Sequence, residues 1–138
     1  MTKTVTLSQA QEVIAAALHR ADEIDQPVNV AVVDAGGNLV AHVRQDDAWI
    51  GSIDISIDKA WTARAFDIST GDLAEYAQPD TQFFGIQNTN RGRVTVFAGG
   101  IPLRDDGHVI GAIGVSGGSG EQDQTIAQAG LEALSAHR

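Results

Sequence analysis

The hydrophobic period changes at Pro27, and that change limits the possible folds more than any other feature of the chain. Before it, Val13, Ile14, Ala17, Leu18, Ala21 and Ile24 recur at helical spacing along one face, and Ser8 with Gln11 fits a capping box at the start of that helix. After it, Val28, Val30 and Val32 alternate up to the segment DAGGN, and Leu39, Ala41 and Val43 alternate beyond it. Paired glycines tolerate the positive backbone angles of a tight turn, so the two alternating runs predict an antiparallel hairpin. Asp34, just before those glycines, is ordinary turn chemistry.

A second helix is predicted from Trp49 to about Phe66. One face carries Ile50, Ile53, Ile57, Ala60, Trp61 and Arg64, and the opposite face carries Ser52, Ile55, Ser56, Lys59, Thr62 and Ala63. The second face is too small and mixed for an ordinary solvated surface, so it is expected to pack against another subunit or to line a pocket. A short helix and an irregular polar connection follow in STGDLAEYAQPDTQFFGIQNTN, with a break at Pro79. Strands then return as RVTVFA, GGIPL and HVIGAIGV, the last two joined by the turn signal RDDG. The expected fold is a single α/β domain of α+β type over residues 1–138. Its central antiparallel sheet of about five strands is flanked by helices, in the order helix, hairpin, helices, strands, helix.

Composition narrows function by exclusion. Apolar residues make up 43% of the chain and charged ones 20%, the balance of a folded domain rather than a disordered one. Nine basic residues against 18 acidic give a net charge of -9, the wrong sign for counterion-release binding of nucleic acid or for attraction to an anionic membrane surface. Cysteine is absent, which removes disulfides, thiolate zinc sites, iron–sulfur clusters and cysteine nucleophiles. The opening MTKTVTLSQAQEVIAAAL lacks a cationic stretch followed by an apolar run and a cleavage site, so a cytoplasmic location is expected, with no membrane partner.

The stretch GVSGGSGEQDQTIAQAG passes from an apolar segment through a glycine-rich bend into the last helix. A phosphate cradle is not supported, because no Gly-Lys-Ser or Gly-Lys-Thr occurs and the spacing of Gly114, Gly117, Gly118 and Gly120 is not the dinucleotide pattern. Ser119 and Gln122 form a second capping box, and Glu121 and Asp123 sit where the positive end of a helix dipole favours carboxylates. Beyond the cap, Gly117 and Gly118, with Gly99 and Gly100 in FAGGIPL, allow another backbone or a flat ligand to approach closely.

Four segments, VNVAVVDAGGNLVAHVRQDDA, GSIDISIDKAWTA, AGGIPL and GAIGVSGGSGEQD, occur in an order and spacing that resembles the haem-degrading HbpS-like family, which includes GlcG-type proteins and the C-terminal domain of PduO proteins. The resemblance covers nearly the whole chain. It implies an α/β domain with a central antiparallel sheet, homo-oligomers, haem binding in some members and haem breakdown in a few, and a cobalamin-related context for the PduO domain.

Haem needs an axial donor, a flat apolar slot and cations for its propionates. With the one methionine at position 1 and no cysteine, ligation falls to histidine, lysine or oxygen. His137 lies at the C-terminal end and His108 beside the RDDG turn. His42 and Arg44 share a strand face and together would receive a carboxylate or a propionate. His19 lies nearly opposite the apolar stripe of the first helix, exposed in a monomer but able to meet a cofactor held between subunits. The resemblance implies His19 as the iron ligand, because some haem-binding relatives use a histidine near the first helix.

Lys59, beside Ser56 and Thr62, is either a solvated lysine or one that holds a carboxylate; desolvation would lower its pKa toward acid–base or imine chemistry. Asp54 and Asp58, one turn apart, are expected on a wet helix face, since two carboxylates alone seldom hold a cation. Glu121 is the candidate general base. The first expectation is a homo-oligomeric haem-binding protein, with slow haem breakdown as an extension. The alternatives are an enzyme acting on a small organic acid, with Arg44 and Lys59 holding the carboxylate and Glu121 moving a proton, or a non-catalytic oligomeric partner of a metabolic enzyme.

Overall fold

The computed structural model describes residues 3–136. The elements run α1 (Leu7–Glu23), β1 (Asn29–Asp34), β2 (Leu39–Arg44), α2 (Gly51–Phe66), α3 (Thr70–Glu75), two short 3-10 turns (Ile86–Asn88 and Asn90–Gly92), β3 (Gly100–Asp105), β4 (His108–Ser116) and α4 (Gly120–Ala136). The strands form one antiparallel sheet in the order β2-β1-β4-β3. The expected α+β architecture and element order stand.

The sheet has four strands rather than about five, because RVTVFA does not join it. Thr62 on α2 accepts the Thr95 N–H at 3.0 Å and donates to the Arg93 carbonyl at 3.2 Å. A helix side chain therefore takes backbone groups that a strand would have offered to an edge. Both hairpin turns follow their sequence signals. Asp34 Oδ1 accepts the N–H groups of Gly36 and Asn38, and Asp106 and Gly107 adopt φ of 52° and 79°, the positive pair of a primed two-residue turn.

The cap of α1 lies two residues earlier than expected from Ser8 and Gln11. Thr6 Oγ1 accepts the Gln9 N–H at 3.1 Å, and Gln9 Oε1 accepts the Thr6 N–H at 2.9 Å. The Val5 N–H donates to the Ile110 carbonyl at 2.8 Å, which fixes the chain against β4 and sets where the helix begins.

Alternation along the central strands divides the core in two. Val30, Val32, Ile113 and Val115 pack with Val13, Ala17 and Ile126 of α1 and α4. On the other face Ala31, Val33 and Ala112 meet Ala60 and Ala63 of α2. α2 lies so close that a Cβ on Gly114 would stand 2.5 Å from the Ala60 nitrogen and nearer still to the Ser56 carbonyl.

That closeness reverses the expected orientation of α2. The small, mixed face, Ser52, Ser56, Lys59, Thr62 and Ala63, is the buried one and packs on the chain's own sheet. The isoleucine-rich face is the more exposed one: Ile50 is 78% and the neighbouring Trp49 69% exposed, Ile53, Ile57 and Trp61 are half-buried, and Ala60 alone of that face is fully buried. Against Ala31, Ala112 and Gly114, only small side chains leave room for a helix backbone.

Candidate functional site

Lys59 is a fully enclosed cation, 1% exposed, on the sheet-facing side of α2. Its Nζ donates to the Val115 carbonyl at 2.8 Å and to Asp123 Oδ2 at 2.9 Å. Asp123, itself buried, stands in the first turn of α4, and its second oxygen accepts the Gly118 N–H at 2.9 Å. The expected capping box forms alongside: Ser119 Oγ accepts the Gln122 N–H at 3.2 Å, and Gln122 Oε1 accepts the Ser119 N–H at 2.9 Å. Burial pushes the Lys59 ammonium below the ordinary lysine value, and the neighbouring Asp123 carboxylate opposes that shift.

Glycine makes this arrangement possible. A Cβ on Gly99, where φ is 128°, would lie 2.8 Å from Lys59 Nζ and closer to the Val115 carbonyl. Gly100 donates its N–H to Thr70 Oγ1 at 2.9 Å and allows the Lys59 carbonyl within 2.5 Å of the place a Cβ would take. The Phe97 ring covers the ammonium, with its centroid 5.1 Å from Nζ.

His19 belongs to a different feature. It lines an open groove of about 570 Å³ between α1 and α4, together with Ala16, Arg20, Gln124 and Ala129. The imidazole is exposed, and Nε2 lies 3.8 Å from Glu23 Oε2. Arg20 Nη1 bonds Glu23 at 3.2 Å, so a cation and a carboxylate share the rim. An exposed histidine whose neighbour is a surface carboxylate, small apolar residues in the wall and an arginine at the edge fit one face of a haem. The groove supplies no second wall.

The remaining candidates are dispersed. The register Asn29↔Arg44 and Ala31↔His42 puts His42 and Arg44 on one sheet face, as expected. His42 Nε2 lies 3.2 Å from Asn29 Oδ1, and burial lowers its pKa, while Arg44 donates to the Ala48 carbonyl at 3.3 Å. Gly117 and Gly118 line a shallow cleft of about 400 Å³ with Trp49 and Pro27. Glu121 is exposed on α4, and no hydrogen bond or ion pair joins it or Arg44 to Lys59. Lys59 is not solvated, and the carboxylate it holds in the protomer is that of Asp123. Asp54 is exposed and Asp58 partly so, with Arg93 4.0 Å from Asp58, as a wet helix face requires. His108 is exposed beside its turn; His137 lies outside the described residues. Among the described residues no three His, Asp or Glu side chains are placed to hold a metal ion, and no helix is long and apolar enough to cross a membrane.

The model of the haem-degrading HbpS-like proteins matches residues 5–132. The chain belongs to the HbpS-like family. Within reach of this family assignment, the fold is similar to that of Klebsiella pneumoniae protein ORFY, with a TM-score of 0.96 and 43% identity over 99% of this chain and 94% of that one. It is also similar to PduOC, solved as a haem complex, with a TM-score of 0.91 and 37% identity over 94% of each chain. The corrinoid adenosyltransferase PduO of Salmonella typhimurium is 40% identical over 86% of this chain, which spans 35% of that protein's length.

Sequence reasoning missed Asp123 as the partner of the buried Lys59. Glu121 and Asp123 have equal claim as dipole-stabilising carboxylates, but two residues on a helix differ by roughly 200° in direction, so only one can face the core. The signal available was Ile126 and Ala127, which mark the inward side of α4 one turn beyond Asp123.

Proposed function

We propose that this chain is a haem-binding protein that works as a homo-oligomer, with His19 as the axial ligand in the α1–α4 groove. The observation that carries this reading is His19 itself: an exposed imidazole, committed to no buried partner, in a groove bordered by Ala16, Ala129 and Arg20. The PduOC haem complex, at 37% identity, supports the ligand class. Haem bound there would supply iron chemistry; this chain's residues hold the ring, with Arg20 facing a propionate and Ala16 and Ala129 against the macrocycle.

One open groove covers one face of a macrocycle, and a second copy of the chain closes the other. The outward face of α2 favours such assembly, because Ile50 and its neighbour Trp49 are largely exposed and Ile53, Ile57 and Trp61 are half-buried in the protomer. Slow breakdown of the bound haem is the further activity we assign, seen as decay of the Soret band under reductant and oxygen.

Titration of the purified protein with haemin, followed by absorbance, tests the reading. A saturable Soret shift at about one haem per chain or per dimer is expected, and His19→Ala should abolish the saturating component. A titration curve that is linear and identical for both proteins would overturn it.

A further inference from the structure

The chain contains two lysines, Lys3 and Lys59. Lys3 is half-exposed in a surface ion pair with Asp105. Lys59 is enclosed, yet its enclosure on one side is thin. Two directions around Nζ are taken by Val115 and Asp123, Gly99 packs close on Nζ, and a third direction faces the Phe97 ring, whose centroid is 5.1 Å away. Phe97 is itself 51% exposed, lies in a segment that pairs with no strand, and stands two residues before Gly99 at φ 128°. Phe97 is thus a surface side chain lying over a buried amine, and a rotamer change would uncover Nζ on that side.

We propose that Lys59 is a carbonyl-reactive amine, which condenses with a small aldehyde or ketone to form a protonated imine when the Phe97 ring swings aside, with Asp123 carrying the protons. The ammonium gives a proton to the Asp123 carboxylate. The freed Nζ lone pair attacks the carbonyl carbon as the carbonyl π pair moves to oxygen, which takes the proton back from Asp123. Asp123 next removes a proton from the alkylated nitrogen and delivers it to the hydroxyl, which leaves as water while the nitrogen lone pair forms the C=N bond.

Charge selects this chemistry over others. The iminium keeps its positive charge beside the Asp123 carboxylate, so the buried pair survives, whereas acyl transfer to Nζ would leave a neutral amide and an unpaired buried carboxylate. The same argument selects the substrate class. Among the described residues no second cation contacts Lys59 or Asp123, so an uncharged aldehyde fits and a 2-oxo acid would set its carboxylate against Asp123. This assignment is independent of haem binding at His19.

The test is reductive trapping on the full chain with propionaldehyde and cyanoborohydride, read by intact mass and peptide mapping. The propyl adduct should form at Lys59 on the order of tenfold faster than at Lys3. Phe97→Ala should raise the Lys59 rate, and pyruvate should trap less than propionaldehyde. Lys59→Arg keeps the cation and should leave only the Lys3 and amino-terminal adducts. The proposal is overturned if Lys59 stays unmodified in both the parent protein and Phe97→Ala while circular dichroism shows both folded, or if Lys59 reacts no faster than Lys3.

Discussion

Lys59 and Asp123 are two opposite charges withdrawn from water and satisfied by each other, one carbonyl, one backbone N–H and the Phe97 ring over the ammonium. Removing one partner leaves the other charge buried and unpaired. Lys59→Met is therefore expected to destabilise the fold by about 3–5 kcal/mol, while Lys59→Met combined with Asp123→Leu should recover most of that loss in denaturant unfolding. His42 gives a separate prediction. Burial holds its folded pKa below the ordinary 6.5, so the unfolded chain takes up the proton first as pH falls. Across that window the unfolded state binds more protons, and stability falls as the pH drops from 6.5 toward the lowered value. His42→Gln should flatten this dependence in pH-resolved thermal melts. A lysine set among serine, alanine and threonine was visible in the sequence as an oddity; its partner, 64 residues away, was not, because only the packed sheet brings α2 and α4 together.

The helices and strands themselves were legible because their periods differ. The one at 3.6 gave α1 and its buried face, and the one at two gave the first hairpin. α2 misled for a physical reason: over Gly114 and two alanines its backbone lies too close to the sheet for large apolar side chains, and the one long side chain on that face, Lys59, reaches to the Val115 carbonyl and Asp123. The fifth strand failed similarly. RVTVFA has strand-like composition, but Thr62 claims its backbone groups first. Gly114→Ala should force α2 off the sheet at Ser56 and Ala60, and a loss of about 1–3 kcal/mol is expected for such overpacking. Urea unfolding checks it: the midpoint should fall with the slope unchanged. An unaltered midpoint would mean that α2 does not rest on β4 as described.

For the whole molecule, the inverted α2 leaves an apolar face on a chain whose net charge of -9 would otherwise keep copies apart. Ile50→Asp together with Ile53→Asp should reduce the particle mass by light scattering without loss of helical signal, since neither side chain is in the protomer core. The site is only half visible in one chain. On the proposed reading His19 and the α1–α4 groove would provide a ligand and one wall, and a single sequence does not encode which surface of a second copy faces them.

The most direct measurement is size-exclusion chromatography with light scattering after haemin loading, recorded at 280 nm and at the Soret band. The Soret signal should travel with an oligomer in the parent protein, and His19→Ala should keep the oligomer and lose the signal. An oligomer that elutes without haem, or haem retained equally by His19→Ala, would contradict the account.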